Sequence, residues 1–292
     1  YTGISFYIKG DSNLISEANL ALHHAIKRNT PFHIHNDDDS DRTNYLENIS
    51  TLSALNLALS ENRIVPYYQS IMNNRTEVKE KFESLLRIIS PDGEPQLPLK
   101  FLRTASKTRV YPEITRRMIG KVFSQMCKCG EEFTINISAE DIYNPDFFSF
   151  LESMMNSNPS CYNRVILEII ESEDFESYRI ISEFIKKSRK CGYRFAIDDF
   201  GSGYSNFSHL SRLNIDFIKF DGSLIRRISQ DRTSSIIIKH VTGMCRELDI
   251  KTVAEFVETE SIFNIVKDFG IDYSQGTFID SPSPEPDSSL QR

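Results

Sequence analysis

Cysteine is scarce and unpatterned in this 292-residue chain, with five thiols at Cys127, Cys129, Cys161, Cys191 and Cys245. No CxxC pair occurs, which argues against a zinc site and for buried or idle thiols in a cytoplasmic protein. No apolar run approaches the ~20 residues of a spanning helix, and no secretory pattern opens the chain. A membrane segment is therefore not expected here. Positive charge is in deficit: 34 Lys and Arg face 41 Asp and Glu, a net charge of −7. No global basic field invites DNA, RNA or an anionic membrane, although a local site for a nucleotide can oppose the net charge. Gly-rich dinucleotide and phosphate loops are also missing. An initial Met is lacking, and Tyr1 stands in strand-like sequence, which predicts a piece of a longer protein. Regions outside such a piece would decide any membrane anchoring of the parent.

Apolar residues are plentiful at 39%, and 26% of residues are charged. That is the supply a globular core needs. Four of the six His residues, His23, His24, His33 and His35, precede residue 37, where nothing completes a metal site. They read as solvated surface. Metal chemistry elsewhere in the chain must then rest on carboxylates, which favour hard ions such as Mg²⁺ or Mn²⁺.

Composition breaks at Asn36-Asp37-Asp38-Asp39-Ser40-Asp41. Asp37, Asp39 and Asp41 imitate the opening of a calcium loop, but Arg42 stands where Gly is required and Asn48 where the bidentate Glu belongs. The run reads as a charged linker, residues 37–54, ending in the start of a linker helix. Before it, residues 1–36 form a short strand–helix–strand unit, too small to own a core. After it, Leu46, Ile49, Leu52, Leu55 and Leu59 recur at helical steps.

Short apolar runs then alternate with helical patterns over residues 55–286. The strand candidates are 64–68, 78–89, 133–137, 165–169, 194–197, 217–220, 251–253 and 273–278. Helical patterns cover 114–126, 178–190, 236–248 and 261–269, and residues 287–292 form a tail. Eight strands alternating with helices predict an α/β fold, a TIM-like (β/α)8 barrel, with a doubly wound open sheet as runner-up.

Polar residues interrupt or end nearly every strand candidate: Glu83, Asn136, Glu168, Asp198 with Asp199, Lys219 with Asp221, Glu255 with Glu258, and Gln275. In a barrel these ends converge on one mouth. Singly, each is a helix cap or a solvated residue. Together they are carboxylates crowded against their own repulsion, which expects exposed mouth residues contributing little packing. Divalent cations would remove that repulsion, and two ions ~3.5–4 Å apart can clamp a phosphodiester for in-line attack by water.

The run Asp198-Asp199-Phe200-Gly201-Ser202-Gly203-Tyr204-Ser205-Asn206 resembles the DDFGTGYSS loop of EAL-domain cyclic di-GMP phosphodiesterases. The resemblance extends from about Leu55 to Pro286. Tyr68-Gln69-Ser70-Ile71 resembles YQPI, Glu83-Ser84-Leu85 the E-A-L signature, and Asn136-Ile137-Ser138 N-L-S. Glu168-Ile169-Ile170-Glu171 resembles E-I-T-E, Lys219-Phe220-Asp221 K-I-D, Ala254-Glu255-Phe256-Val257-Glu258 A-E-G-V-E, and Gln275-Gly276 Q-G. Departures are Ser70 for Pro, Ser84 for Ala, Phe256 for Gly, Ser106 for Glu and Thr277 for an aromatic.

The resemblance implies the EAL form of the barrel, which admits one antiparallel strand. It also implies hydrolysis of cyclic di-GMP to pGpG, with two Mg²⁺ or Mn²⁺ per site and a homodimer built through this domain. Glu83, Asn136, Glu168, Asp198, Asp199 and Glu255 would hold metal. Lys219 would orient the attacking water, and Glu255 would double as proton acceptor. Arg87 and Gln69 would meet substrate phosphate and guanine, Glu258 and Gln275 would complete the inner shell, and Glu171 would anchor the loop at 200–206. A silent cyclic di-GMP receptor is the alternative; silent members usually lose the first Glu, an Asp of the pair or the Lys, all retained here. Residues 17–25 resemble the tail of a GGDEF domain without its catalytic centre.

Overall fold

The structure, a computed structural model, describes residues 1–5, 18, 21–22, 25–26, 29–34, 41–105, 108, 110–170, 175–201 and 213–287. Glu171, Ser106, most of the GGDEF-like stretch and the loop from Ser202 to Asn206 lie outside the described residues. The chain divides into two units, Tyr1–Glu61 with Leu99–Val110, and Asn62–Pro98 with Tyr111–Arg292.

In the first unit, β1 (Thr2–Ile4) pairs in parallel with β2 (Phe32–Ile34). Helix α1 (Asp41–Ser60) packs against α2 (Leu99–Ala105). Leu55 and Leu59, one turn apart in α1, are buried as their spacing predicts, whereas Ile49 is exposed.

The second unit is a closed barrel. Its strands are β3 (Ile64–Asn73), β4 (Lys79–Ile89), β6 (Glu132–Ile137), β7 (Val165–Ile170), β8 (Tyr193–Phe200), β9 (Phe217–Phe220), β10 (Lys251–Ala254) and β11 (Tyr273–Ser274). The order β3-β11-β10-β9-β8-β7-β6-β4 closes through β3–β4, and β5 (Pro95–Gln96) extends the edge of β4. Strand β3 is antiparallel to both neighbours, and the other barrel pairs are parallel. The expected barrel, with its one antiparallel strand, is therefore the observed fold. The last strand is shorter than expected because the chain leaves it at Gln275-Gly276.

Alternation within each strand builds two cores. Outward residues such as Phe82, Phe133, Leu167, Phe195 and Ile218 pack with the surrounding helices. Inward residues Ile71, Ile166, Ala196, Phe217, Val253 and Tyr273 fill the barrel as a plug. Beneath the plug, Lys81 Nζ lies 2.9 Å from Glu132, which also pairs with Arg194, and 4.4 Å from the Tyr273 ring centroid. Buried Lys81 and the half-buried Glu132 and Arg194 close the N-terminal end.

The surrounding helices include α3 (Val110–Met126), α5 (Pro145–Ser157), α6 (Phe175–Lys190), α8 (Arg232–Glu247) and α9 (Glu260–Asp268). Helix α4 (Ala139–Tyr143) and α5 were not anticipated. Ser138 and Asp141 form a capping box on α4, and Asn144 caps α5 with Pro145 following.

Candidate active site

Two residues beyond each plug residue of the parallel strands the chain returns to the same inner face. Ile166 is followed by Glu168, Ala196 by Asp198, Phe217 by Lys219, Val253 by Glu255 and Tyr273 by Gln275. Glu83 arrives likewise from β4. The polar layer therefore sits directly above the plug, at the C-terminal mouth.

Lys219 is its centre. The ammonium lies 2.7 Å from Glu168 Oε2, 2.8 Å from Glu255 Oε1, 3.2 Å from Glu83 Oε2 and 3.2 Å from Asp198 Oδ1. Glu83 also accepts from Asn136 Nδ2 at 2.9 Å and from Gln275 Nε2 at 2.6 Å. Glu83, Glu168 and Glu255 are only 5, 1 and 8% exposed. The expectation of exposed mouth carboxylates is corrected: closure draws the strand ends into a narrow ring over a dry plug, and Lys219 supplies an internal counter-charge.

One ammonium does not balance four carboxylates, and protonation records the imbalance. Burial raises Glu255 to about 8, with Lys219 only partly opposing it. Glu168 is raised well above the usual range by burial, with Glu83 and Asp198 adding to the effect against Lys219. Asp199 is raised by burial and by Asp198. For Glu83 burial is outweighed by Lys219, Gln275 and Asn136, so its carboxyl lies below the ordinary value. Lys219 is held well above its own, because Asp198, Glu168, Glu255 and Glu83 overcome its desolvation.

The β8–β9 register shifts between Ile197 and Phe200, and Asp199 takes a left-handed φ of 55° there. Asp tolerates that conformation, which lets both members of the pair reach the mouth. Ligand oxygens of Asp198, Asp199 and Glu255 lie within 4.8 Å of one another. Glu168 Oε1 and Asp198 Oδ1 are buried without a hydrogen-bond partner; Asp198 Oδ1 feels the Lys219 charge but is not aligned for a bond. The grouped oxygens of Asp198, Asp199 and Glu255 are, once ionised, the donor set of a hard divalent cation.

Other expected residues are less closely joined. Gln69 Oε1 accepts from Gln275 Nε2 at 3.2 Å, while Gln69 Nε2 donates to the Asp280 carbonyl at 3.1 Å. Arg87 shares the face of β4 that carries Glu83 but lies farther along, 5.7 Å over the Tyr67 ring. Glu258 stands on the rim and pairs with Arg226 at 3.0 Å. Arg226 also lies 4.3 Å from the Phe256 ring centroid. Phe256 is exposed and adopts a φ of 51°, where the resembling family carries Gly. Asp221 caps α7 (Gly222–Ile225) by accepting from Ser223 N.

Arg226 and Asp280 were missed by the sequence reading. Asp280 accepts from Ser70 N at 3.1 Å and bonds the Ser70 hydroxyl, across 210 positions of sequence. No local pattern announces such a contact.

A sequence profile described as the EAL domain matches residues 52–282. "Cyclic di-GMP phosphodiesterase PdeB" of Shewanella oneidensis is 29% identical over 279 residues, covering 93% of this chain and 32% of that protein. "Probable cyclic di-GMP phosphodiesterase PdeG" of Escherichia coli is 32% identical over 237 residues, covering 78% of this chain and 46% of that protein. The chain thus spans less than half of either relative. The solved FimX EAL domain from Pseudomonas aeruginosa, bound to c-di-GMP, superimposes with a TM-score of 0.77 at 22% identity, covering 82% of this chain and 99% of that one. At that identity the likeness is one of fold.

Proposed function

This chain belongs to the EAL domain family, and from that premise we propose that it adds water across one phosphodiester bond of cyclic di-GMP to release linear pGpG. The observation that carries the reading is the buried Lys219 ammonium within 3.2 Å of four carboxylates at the barrel mouth. With Asp199 beside it, the group is anionic overall and by itself would repel a phosphodiester.

Two Mg²⁺ or Mn²⁺ would be held by Glu83, Asn136, Glu168, Asp198, Asp199 and Glu255. When bound, such ions neutralise phosphate charge and acidify water. Lys219, fixed by its carboxylates, would orient the attacking water. Glu255 would ionise as cationic charge enters the mouth and then accept the water's proton. Arg87 would oppose phosphate charge, and Gln69, Gln275 and Glu258 would meet the guanine edges or complete the inner shell. Glu171 would tether the segment at 200–206. A homodimer through this domain is proposed as well, and light scattering of the purified chain would test it.

The reading is tested by incubating the purified chain with cyclic di-GMP and Mg²⁺ or Mn²⁺ and separating the nucleotides. Accumulation of pGpG supports it. Binding without turnover would instead assign a silent receptor.

A further inference from the structure

The chain leaves the barrel wall after Gln275-Gly276 and returns to an edge of β3 that the short last strand does not cover. Strand β11 pairs with Met72 and Asn73 and ends at Ser274. Farther along that edge, Tyr68 N donates to Ser283 O at 2.7 Å, and Ser283 N donates to Tyr68 O at 2.9 Å. Between the two pairings, Ser70 N donates to Asp280 Oδ1 at 3.1 Å, and the Ser70 hydroxyl bonds Asp280 Oδ2. Residues 280–283 thus form a strap on β3. Ser70 stands where the resembling family carries Pro, which has no N–H to give.

Charge anchors the strap. Lys79 of β4 is buried, and its ammonium lies 3.0 Å from Asp280 Oδ2 and 3.0 Å from Asp287 Oδ2. The Asp280 carboxylate therefore joins β3, β4 and the strap, and it partners a cation that burial would otherwise penalise.

From this anchor a directed line of hydrogen bonds runs to the mouth. Gln275 Nε2 donates to Glu83 Oε2 at 2.6 Å and to Gln69 Oε1 at 3.2 Å. Gln69 Nε2 donates in turn to the Asp280 carbonyl at 3.1 Å. A carboxylate at one end and a backbone carbonyl at the other accept and cannot donate, so both amide orientations follow from their partners. Turning the Gln69 amide over would set its oxygen against the Asp280 carbonyl and its NH₂ against that of Gln275.

We propose that Asp280 is a positioning residue for base selection: its carboxylate seats the strap, its carbonyl fixes the Gln69 amide, and the fixed amide prefers guanine to adenine. The inference rests on the reading that Gln69 meets a guanine edge. The bonds above leave one Nε2 hydrogen of Gln69 uncommitted. Guanine O6 and N7 are both acceptors, whereas adenine presents an N6 donor beside N7. A fixed donor meets an acceptor at either position of guanine and is repelled at N6 of adenine. An amide free to turn would serve either base.

Kinetics with cyclic di-GMP in Mn²⁺, with cyclic di-AMP as competitor, test the assignment; Kd replaces KM if the chain binds without turnover. Asp280→Ala should raise KM roughly 3–10-fold with little change in kcat, the scale of one lost hydrogen bond. The preference over cyclic di-AMP should narrow by a similar factor. Asp280→Asn keeps an acceptor for Ser70 N, so it should show a smaller form of both effects, and it decides the matter if the Ala variant does not fold. Ser70→Pro removes the donor, and its effect should not add to that of Asp280→Ala in the double variant. Asp280 variants that melt lower but keep wild-type KM and selectivity would overturn the inference and leave a strap that serves only the fold. A loss confined to kcat would overturn it too. Gln69→Ala with unchanged KM and selectivity would remove the guanine contact and the inference together, whereas a changed Gln69→Ala beside unchanged Asp280 variants would remove the inference alone.

Discussion

Lys219 Nζ lies 2.7 Å from Glu168 Oε2, with the two side chains 1% and 0% exposed. A pair this dry is unfavourable to desolvate, so its geometry is retained only with further partners, and three more carboxylates supply them. The same ammonium thus stabilises the metal-free barrel and stands among the residues proposed for chemistry. Both roles can be separated by experiment.

Replacing Lys219 by Ala leaves four crowded carboxylates without a counter-charge. In EDTA the variant is expected to lose about 3–5 kcal/mol of stability in denaturant melts, the scale of an orphaned buried charge. Mn²⁺ should recover part of that loss. Turnover should fall at least ~10²-fold with little change in substrate affinity. An unchanged melt in EDTA would show that the carboxylates do not depend on this ammonium.

Stability of the metal-free protein should decline as pH rises through neutrality. Glu255 titrates near 8 in the fold against an ordinary 4.5. Between these values the unfolded chain has released a proton that the native state keeps, so raising pH favours unfolding. The contribution is complete below about 4.5 and is lost as pH passes through about 8. Glu168 and Asp199 are raised as well and act in the same direction. Glu83 is lowered, so its opposite effect falls below that window. Melts of Glu255→Gln in EDTA should show a flatter slope across it; an unaltered slope would remove Glu255 from the account.

Metal binding should release protons. Glu255, which titrates near 8, carries one near neutral pH in the metal-free protein, and ligation requires the carboxylate. Titration calorimetry with Mn²⁺ in two buffers of different ionisation enthalpy should therefore give different heats, and affinity should weaken on acidification. Identical heats would contradict the protonation assigned to Glu255.

Gly276 holds Gln275 in place by proximity to backbone. A Cβ there would lie 2.3 Å from Val257 O and 2.4 Å from Val257 N, and φ is +155°. Backbone cannot step aside as a flexible side chain does. Gly276→Ala is expected to lose more than about 1 kcal/mol and to lower turnover by displacing Gln275 from Glu83. A wild-type melting temperature with normal turnover would refute this.

Much of the barrel is legible in the sequence. All eight strands lie where apolar runs were read, because Val, Ile and Phe flanked by breakers leave few other ways to bury themselves. Helices α4 and α5 escaped notice, α4 because it spans only five residues and α5 although its 13 residues place Phe147, Leu151 and Met155 at helical spacing. Their signals were nevertheless present, in Ser138 with Asp141 and in Asn144-Pro145. Phe217 with Lys219, and Val253 with Glu255, already stood two residues apart on one face of a strand.

Alternation along the chain therefore determined which side chains share a face and which residue types gather at strand ends. It did not determine which face points inward, since a one-residue change of register exchanges the two. Closure of β3 on β4 made that decision. It buried carboxylates expected to be exposed, turned Lys219 into their shared counter-ion, and sent Glu258 to Arg226 on the rim. It also joined Asp280 to Ser70 and brought the 73–76 turn against the 270–272 loop. These are contacts between residues distant in the chain, and their energies depend on separation and burial, which exist only once the barrel is closed.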